Sequence, residues 1–233
     1  MAQSLRNQNK IKKMKNFLAL SALLFFGFSY AQLTQNVGDF SSLETYDRIT
    51  VKLIPSDQNS IEISGSKPDD VQVVNKNRNL KIRMNLEKFL GGGDITVKVY
   101  YTRLNQISAS EGSRIESDET LKNPSITLSA REGATMKLDV ETNMADIKTS
   151  SGGEIELSGT ANAQMIVCNA GGNYEAKNLK SKTATVTVNA GGTAEIFASD
   201  FVKATTRAGG DIYIHGNPKV EQKNLAGGKV HIY

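Results

Sequence analysis

Ser151-Gly152-Gly153-Glu154-Ile155-Glu156-Leu157 is the stretch on which the fold turns, because its pattern returns along the chain. A small residue, two glycines and an alternating run recur at Ala170-Gly171-Gly172, Ala190-Gly191-Gly192, Ala208-Gly209-Gly210 and Ala226-Gly227-Gly228. Weaker copies stand at Glu111-Gly112-Ser113 and Glu132-Gly133-Ala134. With Gly112, Gly133, Gly152, Gly171, Gly191, Gly209 and Gly227 as anchors, the intervals are 21, 19, 19, 20, 18 and 18 residues. A period near 20 that holds both a turn and a strand is the mark of a solenoid.

Four columns flank each anchor. Three residues after it stand Ile115, Met136, Ile155, Tyr174, Ala194, Ile212 and Val230, and five after it Ser117, Leu138, Leu157, Ala176, Ile196, Ile214 and Ile232. Five before it come Ile107, Leu128, Ile147, Ile166, Val186, Ala204 and Gln222, and three before it Ala109, Ala130, Thr149, Cys168, Val188, Thr206 and Asn224. Mostly apolar or small columns at a spacing of two predict two short parallel strands per turn, meeting at the glycine corner and filling a common interior. Glycine suits such a corner because it accepts backbone angles that a Cβ resists and lets stacked backbones approach closely. With rungs about 4.8 Å apart, seven turns make a rod roughly 30 Å long.

The remainder divides readily. Residues 1–31 read as a secretory signal: Lys10, Lys12, Lys13 and Lys15 precede an apolar run from Phe17 to Phe28, and Ser29-Tyr30-Ala31 offers a cleavage site before Gln32. Twelve residues are too few to span a bilayer, and Met14 is an alternative start. No Cys follows the cleavage site to carry a lipid. Residues 32–94 read as an N-terminal β region that packs on or continues the solenoid, and residues 95–233 as the glycine-cornered repeats. In the first of these, Ile49, Val51 and Leu53 alternate, as do Ile61 and Ile63, then Val71 and Val73, then Leu80, Ile82 and Met84, with Pro, Gly, Asn and Asp between. Residues 86–94 read as a glycine-bearing loop; no Lys-Ser/Thr follows, so it is not a phosphate cradle. The expected fold is therefore all-β, a parallel β-solenoid (β-helix) of about 20-residue rungs with an N-terminal β cap region.

Charge and cysteine narrow the function. Five of the 28 basic residues (Arg6, Lys10, Lys12, Lys13, Lys15) lie in the leader, leaving 23 against 24 acidic residues, a net charge of −1. The basic footprint expected of a nucleic-acid partner is absent from the exported part. After the leader no apolar run is long enough to cross a membrane as a helix, and the single Cys168 cannot form an internal disulfide.

From Phe40 through Tyr233 the chain resembles the bacterial head GIN domain family, described as auto-transporter adhesins. The resemblance rests on the recurrent glycine turns followed by x-Ile-x-Ile, on Gly209-Gly210-Asp211-Ile212-Tyr213-Ile214-His215-Gly216-Asn217-Pro218, and on Phe40, Ile49-Thr50-Val51 and Leu80-Lys81-Ile82. It implies an exported β-helical domain, placed in the periplasm, on the outer surface or in the medium. No set of alternating strands that would form a membrane barrel follows the repeats, so self-translocation is not expected.

Site candidates lie on the outward side. Four residues after the anchors, Glu156, Glu175 and Glu195 stack on consecutive rungs, where like charges repel or recruit a cation. They are the candidate binding residues, and Lys137 and Lys177 stand near enough to neutralise them. No catalytic residue, metal site or cofactor is assigned. His215 and His231 fall at different offsets and are not expected to converge, and Cys168 belongs to an inward column. The calcium-binding nonapeptide of other solenoids is not matched. The main expectation is a non-enzymatic, adhesin-like module for a glycan or protein ligand. A polysaccharide-acting enzyme using Glu156, Glu175 or Glu195 is one alternative, and an envelope protein that forms homo-oligomers through its solenoid ends is another. Mass spectrometry of the exported protein should find its N-terminus at Gln32; an intact leader would overturn the signal assignment.

Overall fold

The computed structural model describes residues 33–85, 87 and 91–233; residues 1–32, which hold the expected leader, and residues 86 and 88–90 lie outside them. Leu33–Tyr233 forms one compact unit. Its strands follow the predicted alternation, and rung after rung pairs in parallel with the next. Before the glycine corner the ladder joins β8 (Gln106–Ala109), β11 (Ser125–Arg131), β12 (Thr135–Ser150), β13 (Glu154–Asn169), β15 (Thr183–Asn189), β17 (Phe201–Arg207) and β19 (Lys219–Leu225). After the corner it joins β9 (Arg114–Glu116), β12, β13, β14 (Asn173–Lys180), β16 (Thr193–Phe197), β18 (Asp211–His215) and β20 (Lys229–Ile232). This is the parallel β-solenoid that the glycine period predicts.

The corner is a tight turn with two successive left-handed residues. Gly153 N–H donates to Ser150 C=O at 2.9 Å across Ser151 (φ 51°) and Gly152 (φ 72°), and Gly172 N–H donates to Asn169 C=O at 2.9 Å across Ala170 and Gly171. Two adjacent positive φ values define a type I′ turn. The two glycines of each pair meet different demands. A Cβ on Gly152 would have nothing within 4 Å, so that glycine supplies the angle; a Cβ on Gly153 would lie 2.2 Å from the Ala130 carbonyl oxygen of the rung beneath, so that glycine supplies the space.

The inward columns close the core. From Ile115 to Ile212 and from Ile107 to Ala204 the exposure never exceeds 2%. One polar chain crosses this interior: the Tyr174 hydroxyl donates to Gln164 Oε1 at 2.7 Å, Gln164 Nε2 donates to Ser181 Oγ at 2.8 Å, and that hydroxyl donates to Phe197 C=O at 2.6 Å. Each polar atom of this chain of side chains therefore has a partner, as burial requires. On the last rung the inward positions Gln222 and Asn224 become exposed and polar, and Ser117 is only partly covered because β9 ends at Glu116.

Two features depart from the two-strand rung. β12 and β13 are continuous for 16 residues and turn a second corner, where Asn143 and Met144 both face outward. The early strands also enter out of chain order. β2 (Ser42–Thr45) and β3 (Thr50–Pro55) form a rung between the β8–β9 rung and a rung made of β6 (Asn79–Met84) and β7 (Thr96–Tyr101). Their corner is Tyr46-Asp47-Arg48-Ile49, with Asp47 and Arg48 at φ 61° and 64°, the same turn built without glycine. Beyond β6 and β7, β4 (Ser60–Ser64) and β5 (Val71–Lys76) run antiparallel, and β1 (Leu33–Asn36) pairs with β4. Gly92, expected in a loop, is buried against that first corner, where its N–H donates to Asp47 C=O at 3.1 Å.

Gly152→Ala should cost about 1–2 kcal/mol, the left-handed penalty of an L residue. Gly153→Ala should cost about 3 kcal/mol or more, because the clash is with backbone. Urea unfolding of the two variants measures the difference; equal costs would refute this division between angle and space.

Candidate functional site

Register builds the outward face. Glu156 pairs with Glu175 and Glu175 with Glu195, so the three predicted carboxylates do stand in one column. Above them the column continues through Tyr213 to His231, and below through Lys137 to Glu116 and Lys52. Lysines neutralise its flanks, with Lys137 Nζ 2.9 Å from Glu156 and Lys177 Nζ 3.7 Å from Glu195, and His215 Nε2 lies 2.9 Å from Glu195. The middle carboxylate, Glu175, accepts a hydrogen bond from Asn173 Nδ2 at 2.9 Å. A bulge opposite Leu157 turns Lys177 and Asn178 both outward, which carries Lys177 to Glu195 rather than to the adjacent Glu175. Among the described residues no group of three or more His, Cys, Asp or Glu side chains is arranged to hold a metal ion.

The two histidines join a cluster that their offsets did not foretell. Tyr213 and His231 stack at 4.6 Å with 9° between ring planes, and His215 stacks on Tyr233 at 5.2 Å. Each imidazole also meets a carboxylate, His215 with Glu195 and His231 with Asp211 at 3.1 Å. Below this block Lys180 Nζ lies 3.9 Å above the Phe197 ring, a cation–π contact. The face thus grades from an alternating charge ladder through three glutamates to an aromatic and imidazole block. Stacking of outward rings on adjacent rungs contributes roughly 0.5–1.5 kcal/mol per pair. That helps hold the last rung, whose inward residues Val230 and Ile232 are less covered than their counterparts on earlier rungs.

A second acidic group lies at the corners. The first left-handed position of successive corners is Asp47, Glu111 and Glu132, then Ser151 and four alanines. Asp47 is 3% exposed, and its Oδ2 accepts the Met84 N–H at 2.9 Å. Burial, a hydrogen bond to Asp47 and the charges of Asp47 and Glu132 push the Glu111 carboxyl above its ordinary value, against the pull of Arg131. Asp47 and Glu111 border a cleft of about 250 Å³ with Lys81, Arg83 and Tyr46. Burial and donation to Glu44 push the Tyr46 phenol up to about 12. The sequence reading missed this cleft because the Asp47-Arg48 corner has no glycine to mark it. Cys168 is fully buried, and burial pushes its thiol up to about 11, so it serves the core and not nucleophilic chemistry.

Linkage fixes the sign of one consequence. A carboxyl that holds its proton more tightly in the folded chain destabilises the fold as pH rises from about 4.3, the ordinary glutamate value, through its raised folded value. In Glu111→Gln that loss should vanish, so the variant should gain stability relative to wild type as pH rises through this window. Urea midpoints across the acid range test it, and parallel curves for the two proteins would refute it.

The comparisons place this geometry. Residues 39–218 match a family model described as "Putative auto-transporter adhesin, head GIN domain". Among solved structures, a "putative adhesin" from Bacteroides fragilis NCTC 9343 superposes with a TM-score of 0.79 at 18% identity, covering 89% of this chain and 98% of that one. A second from Parabacteroides merdae ATCC 43184 gives 0.67 at 19%, covering 89% and 97%. A "putative lipid binding protein" from Parabacteroides distasonis ATCC 8503 gives 0.67 at 14%, covering 89% and 98%. At these identities the likeness is one of fold. No curated protein matches the chain. No helix among the described residues is long and apolar enough to cross a membrane. With the family model spanning most of the solenoid, the chain belongs to the head GIN domain family.

Proposed function

We propose that this protein is an exported, non-enzymatic binding module, adhesin-like, which engages a glycan or protein ligand through the outward face of its solenoid. One observation carries the reading: parallel register holds outward side chains in straight columns, about 4.8 Å from rung to rung, on a backbone fully committed to its ladder. Such a face is rigid and extended, so a ligand meets a preformed array and little ordering entropy opposes its binding. Glu156, Glu175 and Glu195 form its acidic centre, and Tyr213, His215 and His231 border it. Membership of an adhesin family supports the same reading.

Among the described residues the solenoid interior is packed rather than hollow. It is filled by side chains from Leu43 to Ile214, so a lipid of the kind named for one structural neighbour would have to lie on the outside. Assembly through the solenoid end is less favoured than binding through the face. The last rung presents Lys219, Lys223 and Lys229 with polar Gln222 and Asn224, the features by which sheet edges resist pairing.

Protease shaving of intact cells should release fragments of the solenoid, and the purified protein should bind members of a glycan or matrix-protein array, with Glu175→Lys weakening binding at least fivefold. A protein that is inaccessible from outside and silent on both arrays would overturn the reading. Cleavage of an acidic glycan that is lost in Glu175→Gln would establish the polysaccharide-acting alternative instead.

A further inference from the structure

Away from the glycine corner, each middle rung turns its second corner at Asn143 and at the equivalent Asn162 of the next rung. Beside this corner the outward residues Lys122, Glu141 and Thr160 stand in register on successive rungs. Between the two columns runs a furrow of about 450 Å³ that crosses the strands and follows the stacking direction. Its floor includes Thr142 and Ala161, 8% and 7% exposed, which are short enough to leave the walls standing above them.

The chemistry of the furrow selects among ligands. Its backbone is already engaged: Asn143 N–H donates to Pro124 C=O, and Lys182 N–H to Asn162 C=O, so a ligand is read by side chains and not by strand addition. Asn162 Nδ2 donates to Asn143 Oδ1 at 2.9 Å. That bond leaves the amide of one asparagine with a free NH2 and that of the other with a free carbonyl oxygen, one donor and one acceptor for a ligand. Glu141 is held by Lys122 at 2.8 Å, so the walls carry no net charge to attract a polyanion or a basic peptide. A single carboxylate is too few for a divalent cation, which takes about six or more oxygen ligands. The lining is polar, which disfavours an apolar ligand. Asn143 and Asn162, like Glu141 and Thr160, stand on adjacent rungs about 4.8 Å apart, close to the length of one sugar unit in an extended chain, and Pro124 ends the asparagine column on the rung before.

We infer that this furrow binds a segment of neutral oligosaccharide lying along the solenoid axis, with vicinal hydroxyls on the Asn143–Asn162 amide pair and on Glu141 and Thr160. The inference rests on the binding-module reading above; it names a ligand class and a place for it separate from the glutamate column.

The test titrates the purified full chain with soluble neutral hexasaccharides (malto-, cello-, manno- and β-1,3-gluco-series) while backbone and side-chain amide resonances are followed by NMR. The Asn143 and Asn162 amide signals should shift with one series. The Asn143→Ala/Asn162→Ala double variant should weaken that binding at least tenfold, whereas Lys203→Ala, on a different part of the surface, should leave it unchanged. Thr160→Arg, which keeps both amides but fills the furrow, should weaken it as well, and circular dichroism checks that each variant retains its β signature. Binding that survives both the double variant and Thr160→Arg would overturn the furrow. Shifts confined to the Glu175 and Tyr213 column would also overturn it while keeping the binding-module reading. A folded protein that binds none of the four series overturns the furrow as a glycan site, and the array experiment then judges the module reading on its own.

Discussion

The structure depends on one constraint: each residue lies directly over its counterpart a rung away, at the hydrogen-bonding distance of a parallel ladder. Register then decides everything lateral. An inward column must share one narrow interior, an outward column brings like residues within about 5 Å of one another, and a corner must nest on the corner beneath it. The Gly153 position shows the severity of the last demand, since a single methyl there would meet the carbonyl of Ala130. The same constraint stacks Glu156, Glu175 and Glu195 and then surrounds them with Lys137, Lys177 and His215. Charges that the fold forces together are balanced by neighbours that the fold also supplies.

Much of the fold was legible because a steric demand on the backbone leaves a residue-type signature. Left-handed angles and close approach both select glycine, so the corners could be counted, and the columns from Ile115 to Ile212 and from Ile107 to Ala204 followed. Legibility ended where the same geometry is met by other residues. Asp47 and Arg48 make a left-handed corner with no glycine, which hid the rung of β2 and β3. Alternation announces a strand but not its partner, so the place of that rung between β6–β7 and β8–β9 could not be read. The second corner, at Asn143 and Met144, requires neither glycine nor proline.

The candidate site was legible only in part, for a related reason. An offset from an anchor identifies residues in one column, which is how the glutamates were found together. It is blind to neighbours two positions apart on adjacent rungs, and so it separated His215 from His231, which Tyr213 and Tyr233 gather into one block. The buried chain from Tyr174 through Gln164 to Ser181 was equally hidden, because its members approach across the interior from different sides. Outward residues answer to no packing rule, so no residue-type signature announces which of them meet.

The out-of-order rung also sets a schedule for the growing or emerging polypeptide. Strand β3 is flanked on both sides by strands that come later in the chain, β7 and β9, and β2 likewise by β6 and β8. A chain threaded from its N-terminus through an export channel therefore delivers its first rung with no template to pair against. That rung must wait until residue 101 has arrived on one side and residue 116 on the other. From there each later rung can add to a finished edge as soon as it appears. Assembly is thus split into a slow, non-local beginning and a rapid zippering of the glycine-cornered turns, and the late, local phase can draw the rest of the chain outward as it folds.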